Sequence, residues 1–194
     1  MQTDYFNYRR VLTSLLLCLA AANVFPAAPA PVKVVFQTSA GEFTVELDPD
    51  KSPKTVDNFL HYVRDKHYDG TIFHRVIDGF MVQAGGFNAA MIQKPARAPI
   101  ALEANNGLRN ERGTIAMART NIPNSATSQF FINVVDNENL NAPQPDGFGY
   151  AVFGRVISGM EVIDKIRLVP VGNRASMQNV PLQSITINSV RTIK

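Results

Sequence analysis

Tryptophan is absent from this chain, cysteine occurs once, and no run of like charge appears anywhere along it. Each absence excludes something. A single thiol, Cys18, allows no internal disulfide, no thiolate metal site and, for a reason given below, no cysteine nucleophile in the mature chain. The three histidines, His61, His67 and His74, are spaced too widely for a helical zinc pair, and no carboxylate is placed to complete a ligand set, so no metal is expected. No Gly-x-Ser-x-Gly turn occurs, which removes the usual hydrolase nucleophile. Gly85-Gly86 is not followed by a Lys-Ser/Thr pair, so no phosphate loop and no nucleotide cofactor are read. A net charge of +3, scattered along the chain, gives no basis for nucleic-acid binding.

Long apolar runs are missing too. The longest, Val11–Ala22, has twelve uncharged residues behind Arg9-Arg10, too short to span a bilayer comfortably. A basic n-region, this apolar stretch and Ala20-Ala21-Ala22 together read as a secretory signal cleaved after Ala22. Ala28-Pro29-Ala30 also has the spacing of a cleavage site, but Pro31 would follow the cut. A lipoprotein signal is disfavoured because Leu17, before Cys18, is not small. The alternative is an uncleaved anchor. Domain organisation is therefore read as a signal peptide over 1–22, an Ala/Pro-rich lead-in over 23–31 and one globular domain over 32–194. Loss of Asp4, Arg9, Arg10 and Cys18 with the signal leaves a mature chain of net charge +2 and no thiol. The expected location is the periplasm, with no stable membrane insertion after cleavage.

What is present is an ordinary globular mix, 45% hydrophobic and 18% charged, which argues against disorder. Val32–Gln37 and Glu42–Leu47 are β-favouring runs joined through Ser39-Ala40-Gly41, a hairpin. Ser52-Pro53 reads as an N-cap with proline at the first helical position, and Val56, Phe59, Leu60 and Val63 form one helical face. Further short strands fit Thr71–Ile77, Phe80–Gln83, Thr114–Ala118, Gln129–Val134 and Ala151–Val156, with a second helix over Met160–Ile166 and a last strand around Ile185 and Ile187. Short strands without β-α-β alternation indicate a mainly antiparallel barrel or sandwich. The irregular stretches Phe87–Arg112 and Asp136–Gly149 are long enough to carry function or to wall a site.

Two segments resist a purely structural explanation. Arg75 stands among Phe73, Val76, Ile77, Phe80, Met81 and Val82, and Ser125, Thr127, Ser128 and Gln129 crowd against Phe130-Phe131. Strand alternation puts Gln129 and Phe131 on one face and Phe130 on the other. His74 reads as structural, and His61 as a helix-surface residue. FHRVIDGFMVQAGG, GTIAMAR, SATSQFFINV and YAVFGRVISGMEVIDKI resemble, in this order and spacing, the cyclophilin-type peptidyl-prolyl cis-trans isomerases, from about Val32 to the C-terminus. AMART and NSATSQFFINV behind a signal peptide resemble the bacterial periplasmic branch.

The resemblance implies a closed eight-stranded antiparallel β-barrel capped by two α-helices, with a site on its outer face. It implies isomerisation of X-Pro bonds in unfolded or partly folded exported proteins, by a monomer with no cofactor. Arg75 corresponds to the catalytic hydrogen-bond donor and Gln83 to the residue that orients it. Phe80, Met81, Phe131 and Leu140 correspond to the proline pocket, and the main chain of Arg119, flanked by Ala118 and Thr120, to a rail that pairs with substrate. Gln129 and Tyr150 correspond to the rest of the groove, and the Arg119 side chain is expected to be a solvated charge. Three positions depart from the family pattern: Asp78 for proline, Ala84 for glycine, and Asn139 for an aromatic beside Leu140. A competing reading, from another class, is a binding module that holds proline-containing segments without turnover. The retained Arg75 and Gln83 favour the enzyme, because a binder needs the pocket but no transition-state donor.

Overall fold

A computed structural model of the protein describes residues 32–193. The signal-peptide and lead-in readings fall outside these residues. Ten strands and two helices follow the chain as β1 (Val32–Thr38), β2 (Gly41–Leu47), α1 (Pro53–Arg64), β3 (Arg75–Ile77), β4 (Met81–Ala84), β5 (Thr114–Met117), β6 (Phe130–Asn133), β7 (Val152–Ser158), α2 (Met160–Arg167), β8 (Val171–Arg174), β9 (Met177–Pro181) and β10 (Ile187–Ile193). One turn of 3₁₀ helix, Glu138–Leu140, precedes β7. No helix among the described residues is long and apolar enough to cross a membrane.

Eight strands form one antiparallel sheet in the order β10-β1-β2-β7-β5-β6-β4-β3, and β8-β9 form a separate hairpin. The sheet is an open half-barrel, which corrects the expected closed barrel: β10 and β3 are its two edges. Closure stops short at β3, which is only three residues long, while β10 pairs along one side with β1, from Ile187↔Thr38 to Ile193↔Lys33. The edges meet at a single bridge, Ile72↔Thr186, supported by Phe73 N–H to Ile185 O (3.0 Å) and Ile187 N–H to Thr71 O (2.8 Å).

The concave side holds the core. Phe36, Phe43, Phe59, Phe130 and Phe153 are fully or almost fully buried, with Phe36 stacked on Phe43 at 4.6 Å and edge-on to Phe130 at 5.5 Å. Helix α1 buries Val56, Phe59, Tyr62 and Val63 here, the i, i+3, i+7 face foreseen, while Leu60 stays partly exposed. Its N-terminus is capped differently from expectation. Ser52 donates to Val152 O (2.8 Å), and the free amides of Lys54 and Thr55 go instead to Glu103, at 3.1 and 2.8 Å. A carboxylate from the long Phe87–Arg112 stretch thus meets the positive end of the helix.

Candidate active site

Strand alternation splits β6 between two worlds. Phe130 points into the core, whereas Phe131 faces outward with Met81, Ala116, Leu140 and Val152 in a second apolar cluster. Phe80, Ala118 and Tyr150 pack against that cluster, so the structure brings Phe80, Met81, Phe131 and Leu140 together with Ala118 and Tyr150, whereas Thr120 is exposed. Sequence reasoning missed Ala116, Val152 and Ile77, whose short apolar side chains carry no chemical signal of their own.

Arg75 stands beside this cluster through cross-strand register. Arg75 of β3 lies opposite Gln83 of β4, and Gln83 lies opposite Phe131 of β6. The Arg75 guanidinium donates to Gln83 Oε1 at 3.4 Å, and Gln83 Nε2 donates to Gln129 Oε1 at 2.9 Å. The first bond is at the long end of the hydrogen-bond range. The result is a half-buried, permanently charged donor held beside an apolar floor.

His74 lies directly behind it, fully buried against the Phe87 ring at 4.8 Å. Neither ring nitrogen completes a hydrogen bond of good geometry. Burial above all lowers its pKa to about 4, and the charge of Arg75 acts in the same direction. The Ile72 main chain and the Gln129 side chain face the ring and oppose that shift.

One side of the outer apolar cluster hangs on buried amides. Asn137 Nδ2 donates to Phe80 O and to Asn133 Oδ1, both at 2.8 Å, and Asn133 Nδ2 donates to Thr114 Oγ1 at 2.9 Å. Asn110 Nδ2 donates to Leu140 O at 3.1 Å. Asn110 and Asn137, which sequence reasoning left in loops, and Asn133, on a foreseen strand, tie Phe80 O to Leu140 O through the bond from Asn133 Nδ2 to Asn110 Oδ1 at 3.2 Å. Of the three departures, Asn139 is exposed beside Leu140, Ala84 is buried in β4, and Asp78 pairs with Arg167 of α2.

Ala118–Thr120 leave the end of β5 with Ala118 N–H bonded to Gln129 O (3.0 Å) and Thr120 N–H bonded to Ser125 Oγ (2.9 Å). Among the described residues, nothing takes the main-chain N–H of Arg119, which leaves it free for an extended ligand. The Arg119 side chain corrects expectation. It is only 1% exposed and pairs with Asp146 at 2.7 Å.

The profile of the family described as "Cyclophilin type peptidyl-prolyl cis-trans isomerase/CLD" matches residues 33–192. The chain is 56% identical over 162 residues to a peptidyl-prolyl cis-trans isomerase of Streptomyces antibioticus, covering 82% of this chain and 98% of that one. It is 52% identical over 188 residues to peptidyl-prolyl cis-trans isomerase A of Dickeya dadantii, covering 96% and 98%. A cyclophilin-type isomerase of Cryptosporidium parvum, solved in the presence of the dipeptide Ala-Pro, superposes with a TM-score of 0.69 at 27% identity, covering 84% of this chain and 99% of that one. The chain belongs to the cyclophilin-type peptidyl-prolyl cis-trans isomerases. Isomerisation of peptidyl-prolyl bonds is its activity.

Proposed function

We propose that this isomerase is exported to the periplasm, where it acts on X-Pro bonds of unfolded or partly folded exported polypeptides, with Arg75 as the transition-state donor. The X-Pro barrier is roughly 20 kcal/mol because amide resonance must be broken. No covalent bond is made or lost, so the chemistry needs only a shape and a donor. Twisting the amide localises a lone pair on the proline nitrogen. A fixed N–H donor there stabilises the twisted state and gains little from the planar one. The apolar floor strengthens that bond by excluding water, and it favours the less polar, twisted amide. Proline would sit on Phe80, Met81, Phe131 and Leu140, the chain before it along Ala118–Thr120, with Gln83 and Gln129 holding the Arg75 fork.

The observation that carries this reading is the Arg75–Gln83–Gln129 relay beside the outer apolar cluster. Support for export comes from Arg9-Arg10, the apolar run and Ala20-Ala21-Ala22. The test is a protease-coupled isomerisation assay on a short Ala-Pro peptide with Arg75→Ala. Turnover should fall about 10²–10³-fold, as on deleting a preorganised donor, while peptide affinity changes far less. Retained turnover would remove Arg75 from the mechanism.

A further inference from the structure

The Arg119 side chain spends its donors on three separate places. Nε donates to Gly149 O at 2.9 Å, Nη1 to Thr120 O at 2.9 Å and Nη2 to Asp146 at 2.7 Å. The guanidinium lies over the Tyr150 ring, 4.5 Å from its centroid. Tyr150 in turn meets Phe131 edge-on at 5.7 Å, and its N–H bonds to Leu140 O at 2.9 Å. One buried cation therefore links the substrate rail, the Asn141–Gly149 loop and the aromatic wall of the pocket.

The loop needs such a link. Most of its residues are exposed, and apart from Asn141, whose side-chain Oδ1 accepts from Asn110 N–H and Nδ2, its other bonds are short-range turns such as Gln144 N–H to the main-chain O of Asn141. Gly149 makes the approach possible. Its φ is +71°, and a Cβ there would collide with the main chain of Ala142, so only glycine turns this carbonyl onto Arg119. Asp146 supplies the counter-charge, and its carboxyl is held below the usual range chiefly by the hydrogen bond from Arg119.

We propose that the Arg119 side chain is a positioning residue for proline binding: it clamps the Asn141–Gly149 loop against the rail and so seats Tyr150 against Phe131. The inference rests on reading the outer cluster as the proline pocket. The clamp touches neither Arg75 nor the Gln83–Gln129 relay, so it acts on how substrate is held and not on the twisted state.

The test measures KM and kcat for the same Ala-Pro peptide on the mature chain carrying Arg119→Ala, Arg119→Lys, Asp146→Asn, the double change Arg119→Ala/Asp146→Asn, and Phe131→Ala. Arg119→Ala should raise KM about tenfold, the scale of one lost charge-assisted network, with kcat within about threefold. Arg119→Lys should recover part of the loss, because an ammonium reaches Asp146 but cannot also bond both carbonyls. The double change should be no worse than Arg119→Ala, since both act through one clamp. An unchanged KM in Arg119→Ala, with KM raised in Phe131→Ala, overturns the clamp and keeps the pocket. If neither moves KM, the pocket reading itself fails. A fall confined to kcat, or effects of Arg119→Ala and Asp146→Asn that add, would mean that Arg119 does not act by holding the loop. Should Arg119→Ala not fold, Arg119→Lys and Asp146→Asn still decide the matter through KM.

Discussion

His74 and Arg75 are chain neighbours with opposite tasks. Arg75 stands half-buried at the edge of water as the proposed donor; Arg75→Lys should keep only part of the turnover, because a flexible ammonium cannot reproduce the held fork. His74 must stay neutral, since no partner compensates a charge at its fully buried position. Its folded pKa of about 4 lies below the ordinary value of 6.5. The unfolded chain therefore takes up the proton first. The stability that His74 contributes is complete above pH 6.5, drains away as pH falls from 6.5 to 4, and is flat below that. The full loss is roughly 3 kcal/mol, at about 1.4 kcal/mol per pH unit. His67, also lowered by burial, adds in the same direction. Chemical denaturation between pH 7 and 4 should thus show a steeper loss in wild type than in His74→Phe. Identical slopes would mean that His74 is not the titrating group. The sequence suggested a structural role for His74 but not its depth or its lowered pKa. A histidine beside an arginine looks the same whether or not a core closes over it.

At the scale of elements, α1 depends on a residue 48 positions away. Glu103 Oε2 accepts from both the amide and the hydroxyl of Thr55, at 2.8 and 2.7 Å. Glu103→Ala should destabilise the protein by about 1–2 kcal/mol, the usual scale of a lost helix cap, with kcat unaffected. Denaturant midpoints measure the first and the isomerisation assay the second; no change in midpoint would show that water caps α1 equally well. The helix itself was legible, because Val56, Phe59 and Val63 repeat at helical spacing. Its cap was not, because Ser52 followed by Pro53 is the local signature of a capping serine and only the fold reveals that Ser52 is turned to Val152. The hairpin β8–β9 went unseen for a related reason. Val171–Arg174 is largely exposed, Met177–Pro181 buries only its last two residues, and neither carries an inside-outside alternation for a reader to find. Arg119 repeats the lesson within the site. Burial of its charge depends on Asp146, 27 residues later, and no local pattern connects them.

For the whole molecule, the outer face carries the candidate site and the inner face the core, so activity and stability should respond to different substitutions. Alternation in β6, and the motif order that placed Arg75, Gln83 and Phe131 on neighbouring strands, were readable from sequence; the failure of the barrel to close was not, since it rests on the shortness of β3. Export belongs to this scale too. Under the proposed cleavage after Ala22, protein recovered from the periplasm should lack the mass of residues 1–22, and its activity should be indifferent to dithiothreitol because Cys18 would go with the leader. A mass that includes residues 1–22 would contradict the processing read from Ala20-Ala21-Ala22.

The two-faced character of β6 carries a further consequence, for the kind of genetic change this gene tolerates. Phe130 and Phe131 are adjacent in the chain, yet one belongs to the interior and the other to the groove. Exchanging the side chain at 131 alters one surface only. Deleting a single codon upstream within the strand would carry Phe131 inward and turn its neighbours out, scrambling both surfaces at once. Divergence at this wall should therefore proceed by substitution, and length variation should collect in exposed turns outside the paired strands, where no partner strand counts residues.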